Sequence, residues 1–151
     1  MRRTFFTVLA LTLVLGCSSS RTPAGLTPPE IQMMQVGDYS FTLQYTGPIT
    51  ISYRVAISNP SSETIRLRQM KFSNVGSGAY SLRNDPQFFN RDIPSGKTLV
   101  TTVAIPAFSR GGRTMSREPV TIRGIAYFES ELGNFQKVFF QSFRPDVRGY
   151  E

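Results

Sequence analysis

The sequence has no histidine, no tryptophan and a single cysteine, Cys17. Each absence removes a class of chemistry. Without histidine there is no Ser-His-Asp or Cys-His triad, no imidazole metal ligand and no side chain that ordinarily titrates near neutral pH. One cysteine permits neither an internal disulfide nor a cysteine-cluster zinc site. Lysine is scarce too: Lys71, Lys97 and Lys137 are the only ones, so arginine supplies most of the 17 basic residues that face 10 acidic ones. The length, 151 residues, fits one domain, and 40% hydrophobic content is enough to bury a core.

What is present begins with a basic start, Met1-Arg2-Arg3, followed by an apolar run from Phe5 to Leu15. The run is too short to span roughly 30 Å of hydrocarbon as a helix and matches the central region of a secretory signal peptide. Val14-Leu15-Gly16-Cys17 then resembles the lipobox of bacterial lipoproteins. That resemblance implies diacylglyceryl attachment to the Cys17 sulfur, cleavage after Gly16 and acylation of the new terminus by a palmitate-type chain. The protein would then be held on a lipid bilayer in the bacterial cell envelope. Ser18, where an aspartate would mean inner-membrane retention, points to the outer membrane, facing the periplasm. The alternative is an ordinary secretory signal with a chance cysteine. Two or more acyl chains anchor far more firmly than one, since each buried CH₂ contributes about 0.8 kcal/mol.

Removing residues 1–16 takes away Arg2 and Arg3, which leaves 15 basic residues against 10 acidic ones. The excess favours anionic surfaces such as lipid headgroups, but the charges are scattered singly, as on an ordinary solvated face. Residues 17–30, the cysteine and a Ser/Thr/Pro/Gly-rich stretch ending TPPE, read as a disordered tether.

Beyond the tether the apolar period becomes two. Ile49, Ile51, Tyr53, Val55 and Ile57 alternate with polar or small residues, the mark of a strand with one buried face. Phe41, Leu43 and Tyr45 alternate upstream, with Gly47-Pro48 as the break between two strands. Asn59-Pro60-Ser61-Ser62 is a turn. Ile65 and Leu67 hold one phase and Met70 and Phe72 the other, which predicts a β-bulge near Arg68-Gln69. Further strands follow the Pro94-Ser95-Gly96 turn, run through Val120–Phe128, and close the chain at Phe135–Phe143. No 3.6-residue periodicity appears after the signal peptide. The pattern predicts an all-β, antiparallel immunoglobulin-like sandwich of the fibronectin type III kind, with about seven strands over residues 31–145 and a short tail, 146–151.

Sites of chemistry are sparse. Ser73 lies near Lys71 and Ser95 near Lys97, the two formal Ser-Lys pairs; Asp85 with Asp92, and Glu129 with Glu131, are the formal carboxylate pairs. All read better as strand-edge, turn or solvated residues. Gly111-Gly112, between Arg110 and Arg113, reads as a mobile hairpin tip, with anion binding as the alternative. Nothing matches a calcium loop, a phosphate-binding loop or a dinucleotide fingerprint, so the expectation is a non-enzyme with no cofactor, no metal and no small-molecule substrate. Basic and aromatic residues interleave at Phe135–Phe140, but strand alternation accounts for the rings, so no nucleic acid is expected. That last strand is apolar in both phases. Phe135, Phe139, Phe140 and Phe143 therefore form either core or a candidate interaction patch for another envelope protein.

The order of turns carries one more resemblance. Val55-Ala56-Ile57-Ser58-Asn59-Pro60, the Ile93-Pro94-Ser95-Gly96 turn, Thr102–Pro106 and Ile122-Arg123-Gly124 resemble the group 2 late embryogenesis abundant family, the water-stress domain. The resemblance spans about residues 35–145 and implies a sandwich without catalytic residues. The role expected of the protein is thus a membrane-anchored binding or accessory module, or else a stress- or desiccation-protective domain acting on membranes or client proteins.

Overall fold

The structure, a computed structural model, describes residues 22–37, 39, 42–112 and 117–144. Val14, Leu15, Gly16 and Cys17 lie outside the described residues, as do Phe41, Arg113 and the tail 146–151.

Eight strands form two antiparallel sheets. In chain order they are β1 (Glu30–Val36), β2 (Thr46–Ser58), β3 (Ile65–Val75), β4 (Tyr80–Leu82), β5 (Gln87–Ile93), β6 (Thr98–Arg110), β7 (Val120–Ser130) and β8 (Gly133–Phe143). One sheet has the order β1-β2-β6-β4 and the other β5-β3-β7-β8. Only β1–β2 and β7–β8 join sequence neighbours within a sheet; every other connection crosses between layers. This is the immunoglobulin-like arrangement expected from the period-two pattern. The long β2–β6 ladder runs from Thr46 opposite Arg110 to Ser58 opposite Thr98.

The alternating residues fill the space between the sheets. Ile51, Tyr53, Val55 and Ile57 of β2 are fully buried, as are Ile65, Leu67 and Met70 of β3, Ile105 of β6 and Ile122 of β7. The phase change in β3 is a bulge: the register against both neighbours shifts between Leu67 and Gln69, so Leu67 and Met70 both point inward.

Three expectations need correction. Thr42–Gln44 is a single 3₁₀ turn rather than part of a strand, with Leu43 buried and its N–H bonded to the Tyr39 carbonyl. Three alternating residues are too few to separate a turn from a strand. Gly47-Pro48 does not break the chain but lies within β2. The backbone of Ser52, two residues from Thr50 and four from Pro48 in the same phase, bonds away from β6, to the Tyr39 hydroxyl. On that side β1 ends at Val36, opposite Ser52. The N–H that Pro48 lacks would therefore have met no strand, the condition under which proline is tolerated in a sheet. The tether is also shorter than its composition implied. Leu26 and Pro29 are buried, and the Leu26 N–H closes a turn onto the Pro23 carbonyl, so packing begins before residue 31.

Candidate functional site

β8 lies at the edge of its sheet and pairs only with β7, so its two apolar phases have different surroundings. Phe135, Phe139 and Phe143 sit opposite Phe128, Gly124 and Val120, on the face toward the other sheet. Phe135 and Phe139 are buried and Phe143 packs at the margin of the core. Phe135 stacks on Phe128 at 5.2 Å between centroids, Phe139 meets Phe72 edge-on at 6.4 Å, and Phe143 tilts over Tyr53 at 5.2 Å. Phe140 alone of the four points outward, 60% exposed. The expected four-residue patch is thus three core rings and one surface ring. A central position for this strand is also excluded. Its second apolar phase belongs to an outer surface.

Around Phe140 that outer surface has a defined composition. Its register partner is Arg123; next come Val138 opposite Ile125, and Gln136 opposite Tyr127. Across β7, Lys71 of β3 lies opposite Ile125, and its Nζ sits 5.8 Å from the centre of the Tyr127 ring. Ile125, Tyr127 and Val138 are half-buried by these neighbours. The result is an apolar strip that ends in an exposed ring and is flanked by two cations. The remaining cations of this face have partners: Arg66 binds Asp92, with Nε–Oδ1 at 2.5 Å, and Arg68 lies 3.6 Å from Glu129. The Arg66 hydrogen bond holds the Asp92 carboxyl below its ordinary value and, in return, raises the guanidinium. Both groups are exposed, so the pair adds little stability. Among the described residues, neither Lys71 nor Arg123 is in an ion pair.

The other candidates separate. Asp85 pairs with Arg83 and Asp92 with Arg66. Glu129 and Glu131 line a cleft of about 280 Å³ with Arg66, Asp92 and Thr64. No group of three or more His, Cys, Asp or Glu residues able to hold a metal occurs among the described residues. Lys71 reaches over Tyr127 rather than toward Ser73, and the Ser95 hydroxyl donates to the Ser61 carbonyl at 2.7 Å. Gly111-Gly112 is not a free hairpin tip. The chain crosses between sheets there, and the Gly111 N–H donates to Ser109 Oγ and the Gly112 N–H to the Gln44 carbonyl. Those two amides are consumed internally, so neither Gly111 nor Gly112 offers its N–H to an anion.

One polar cluster escaped the sequence reading. The Tyr53 and Tyr80 hydroxyls are 2.7 Å apart in the core, and Tyr80 also donates to Gln35 Oε1 at 3.0 Å. These partners are 27 and 45 positions apart, so no local pattern marks them. Burial pushes the Tyr80 phenol up to about 12 and that of Tyr53 further still, with Tyr80 beside it adding to the rise. In both cases the folded value lies above the unfolded one. Stability is therefore unaffected below the ordinary tyrosine value and falls as pH rises from about 10 toward 12, because the unfolded phenols lose protons first. Alkaline unfolding followed by circular dichroism should show this decline. Tyr80→Phe should destabilise more than Tyr53→Phe, since it strands a fully buried Tyr53 hydroxyl at about 1–3 kcal/mol, whereas the converse leaves Tyr80 bonded to Gln35. Equal effects in urea melts would contradict that assignment.

Fold and site together define an all-β, immunoglobulin-like sandwich with one aromatic-cationic outer face. No family model and no curated protein matches the chain. Among solved structures, it is similar to a structural-genomics protein designated SoR45, at TM-score 0.54 and 14% identity, covering 82% of this chain and 89% of that one. Two more matches, the putative ApaA protein of Bordetella pertussis (TM-score 0.48, 16% identity, 81% and 94% coverage) and a protein from Archaeoglobus fulgidus (0.49, 9%, 81% and 98%), are weaker. At such identities the first likeness speaks for the sandwich fold alone.

Proposed function

We propose that this protein is a non-enzymatic accessory module of the bacterial envelope, anchored by acyl chains on Cys17, that docks another envelope protein on the outer face of β3, β7 and β8. The observation that supports the docking reading is the exposed Phe140 ring at the end of the Ile125–Val138–Tyr127 strip, between two cations without ion-pair partners. A lone exposed apolar residue is ordinary. A ring continuous with three half-buried apolar neighbours, flanked by arginine and lysine, has the composition of an interface anchor. It fits a partner that offers an apolar pocket bordered by carboxylates.

A photo-crosslinking side chain at position 140 in intact cells tests this, with the exposed Thr50 on the opposite outer face as control. Protein adducts at 140 and none at 50 are expected. Adducts only with lipid at 140 would remove the protein-partner reading. With the probe moved to Gln136 on the same outer face, Phe140→Ser should abolish the protein adducts while shifting stability by no more than about 0.5 kcal/mol, the usual range for a surface change. The anchor is tested separately: Cys17→Ser should leave the membrane fraction on washing with high salt. If the variant stays bound, the acyl anchor is wrong.

A further inference from the structure

Among the described residues, part of the inner strand β6 is left without a neighbour on one side. β4 covers only the end of β6, pairing Tyr80–Leu82 with Ser109–Ala107. The Arg110 N–H bonds to the Ala79 carbonyl and the Arg83 N–H to the Pro106 carbonyl, after which the chain leaves for the other sheet. These bonds fix which residues of β6 face this side: Arg110 and Pro106, and by the two-residue period Ala104, Thr102, Val100 and Thr98. The intervening residues face β2, as the Asn59 N–H to Lys97 carbonyl bond confirms at the strand's start. Pro106 takes part on this side through its carbonyl alone. From Ala104 back to Thr98, no strand among the described residues takes up the edge-facing amides and carbonyls.

The contrast with the outer edges of β4, β5 and β8 is chemical, while β1, the remaining edge strand, carries only Glu30, at its start. The outer edge of β4 is capped by Asn74, whose side chain donates to the Tyr80 carbonyl and accepts from the Leu82 N–H. β5 carries Arg91 and Asp92, and β8 carries Lys137. Such charges and caps are how edge strands are kept from pairing. Thr98-Leu99-Val100-Thr101-Thr102-Val103-Ala104-Ile105 has no charge, no proline and no glycine, and high strand propensity throughout. On its outward side Val100 is 58% exposed.

We propose that two copies of this chain pair through this stretch, β6 against β6, antiparallel about a two-fold axis at Thr101. Val100 then faces Thr102 of the partner subunit, and Thr98 faces Ala104 of the partner subunit. Each of these symmetric pairs exchanges two N–H···O=C bonds, which satisfies every edge-facing group of the open stretch. The occupant is set by length and charge. The open stretch is bounded by the Arg83–Pro106 bond at one end and the Pro94–Lys97 turn at the other. In this register the turn of one copy arrives where β4 of the other ends. A register moved by two residues one way would set Thr98 against Pro106 of the partner subunit, which has no N–H to give, and moved the other way would set Ala104 against Gly96 of the partner subunit, whose N–H already bonds the Asn59 carbonyl. No charged residue meets a like charge across the ladder. The two β1-β2-β6 sheets become one continuous sheet, and the β3-β7-β8 outer face stays free.

The backbone bonding supplies the test. The Thr102 amide points to the open edge, so Thr102→Pro removes a dimer bond and none that the monomer uses. In sedimentation of the full chain in detergent, wild type should be dimeric at high concentration. Thr102→Pro should be monomeric with an unchanged circular dichroism spectrum. A wild type that remains monomeric across the concentration series, or a dimer that survives Thr102→Pro, overturns the proposal. Should the proline variant fail to fold, a second variant decides. In a Cys17→Ser background, Val100→Cys with Thr102→Cys places thiols opposite each other only between copies, and oxidation should give a covalent dimer. Oxidation that yields monomer alone, or Val100 photo-adducts only with a foreign protein in cells, also overturns it.

Discussion

Asn59→Ala should lower the unfolding free energy by about 3 kcal/mol or more, and Asn59→Asp by at least as much, as read from urea midpoints. Asn59 is 1% exposed in the turn that carries the chain from β2 to β3. Its amide donates to the carbonyls of Glu63 at 2.7 Å and Ile93 at 2.8 Å, and its side-chain oxygen accepts from the Ser61 N–H and hydroxyl at 3.1 and 2.6 Å. Every donor and both lone pairs of the side chain are used. Alanine orphans the buried Ile93 carbonyl and the Ser61 N–H, each at about 1–3 kcal/mol. Aspartate keeps the acceptors but removes both donors, and it turns an anion toward two carbonyl oxygens in a site closed to water. The Asn59 backbone is tied as well, giving its N–H to Lys97 and accepting from Gly96. The residue thus joins two turns, its own and the Pro94–Lys97 turn. Midpoints within error of wild type for both variants would refute this account of the turn.

Gly124→Val should be the second severe lesion, at about 2–4 kcal/mol by overpacking, and its effect should shrink sharply in a Phe139→Ala background. Gly124 faces inward on β7 directly beneath Phe139 of β8. A Cβ built there falls within the Phe139 ring, against Cζ, Cε1 and Cε2. The ring covers the glycine, and its edge-on contact with Phe72 holds it there. Phe139→Ala alone should cost about 3–5 kcal/mol, the range for truncating a buried phenylalanine. The decisive quantity is the coupling in the double variant. Additive effects would mean that the ring does not lie on Gly124, whereas a double variant less destabilised than the sum by about 1 kcal/mol or more, the scale for residues in contact, supports the packing.

Much of this architecture was legible because alternation is a geometric fact about strands. The Ile49–Ile57 run, the bulge after Leu67 and the Pro94-Ser95-Gly96 turn all follow from residue order alone. Pro48 misled because proline weakens a strand only where its missing N–H has a waiting partner, and that depends on where β1 stops. β4 is three residues long, below the length at which any period can be read. The final strand was identified as apolar in both phases, but the choice between them requires knowing that β8 is an edge. There Lys137 sits in the inward phase, opposite Ala126, and is only half-buried. An inward charge is affordable at a margin, where its amine reaches water while its stem packs. Pairings such as Arg123 with Phe140 depend on register, which no single strand declares.

The crossing connections also constrain when the molecule can form. The central ladder joins residues 40 positions apart at Ser58–Thr98 and 64 apart at Thr46–Arg110. β3 likewise waits for β7. Until the last third of the polypeptide exists, β2 and β3 have no main-chain partners except β1 and β5, and the loop-closure entropy of long-range pairing makes assembly slow. The N-terminal half by itself therefore lacks the pairings that complete either sheet. The native body is deferred until β7 and β8 exist to close the second sheet.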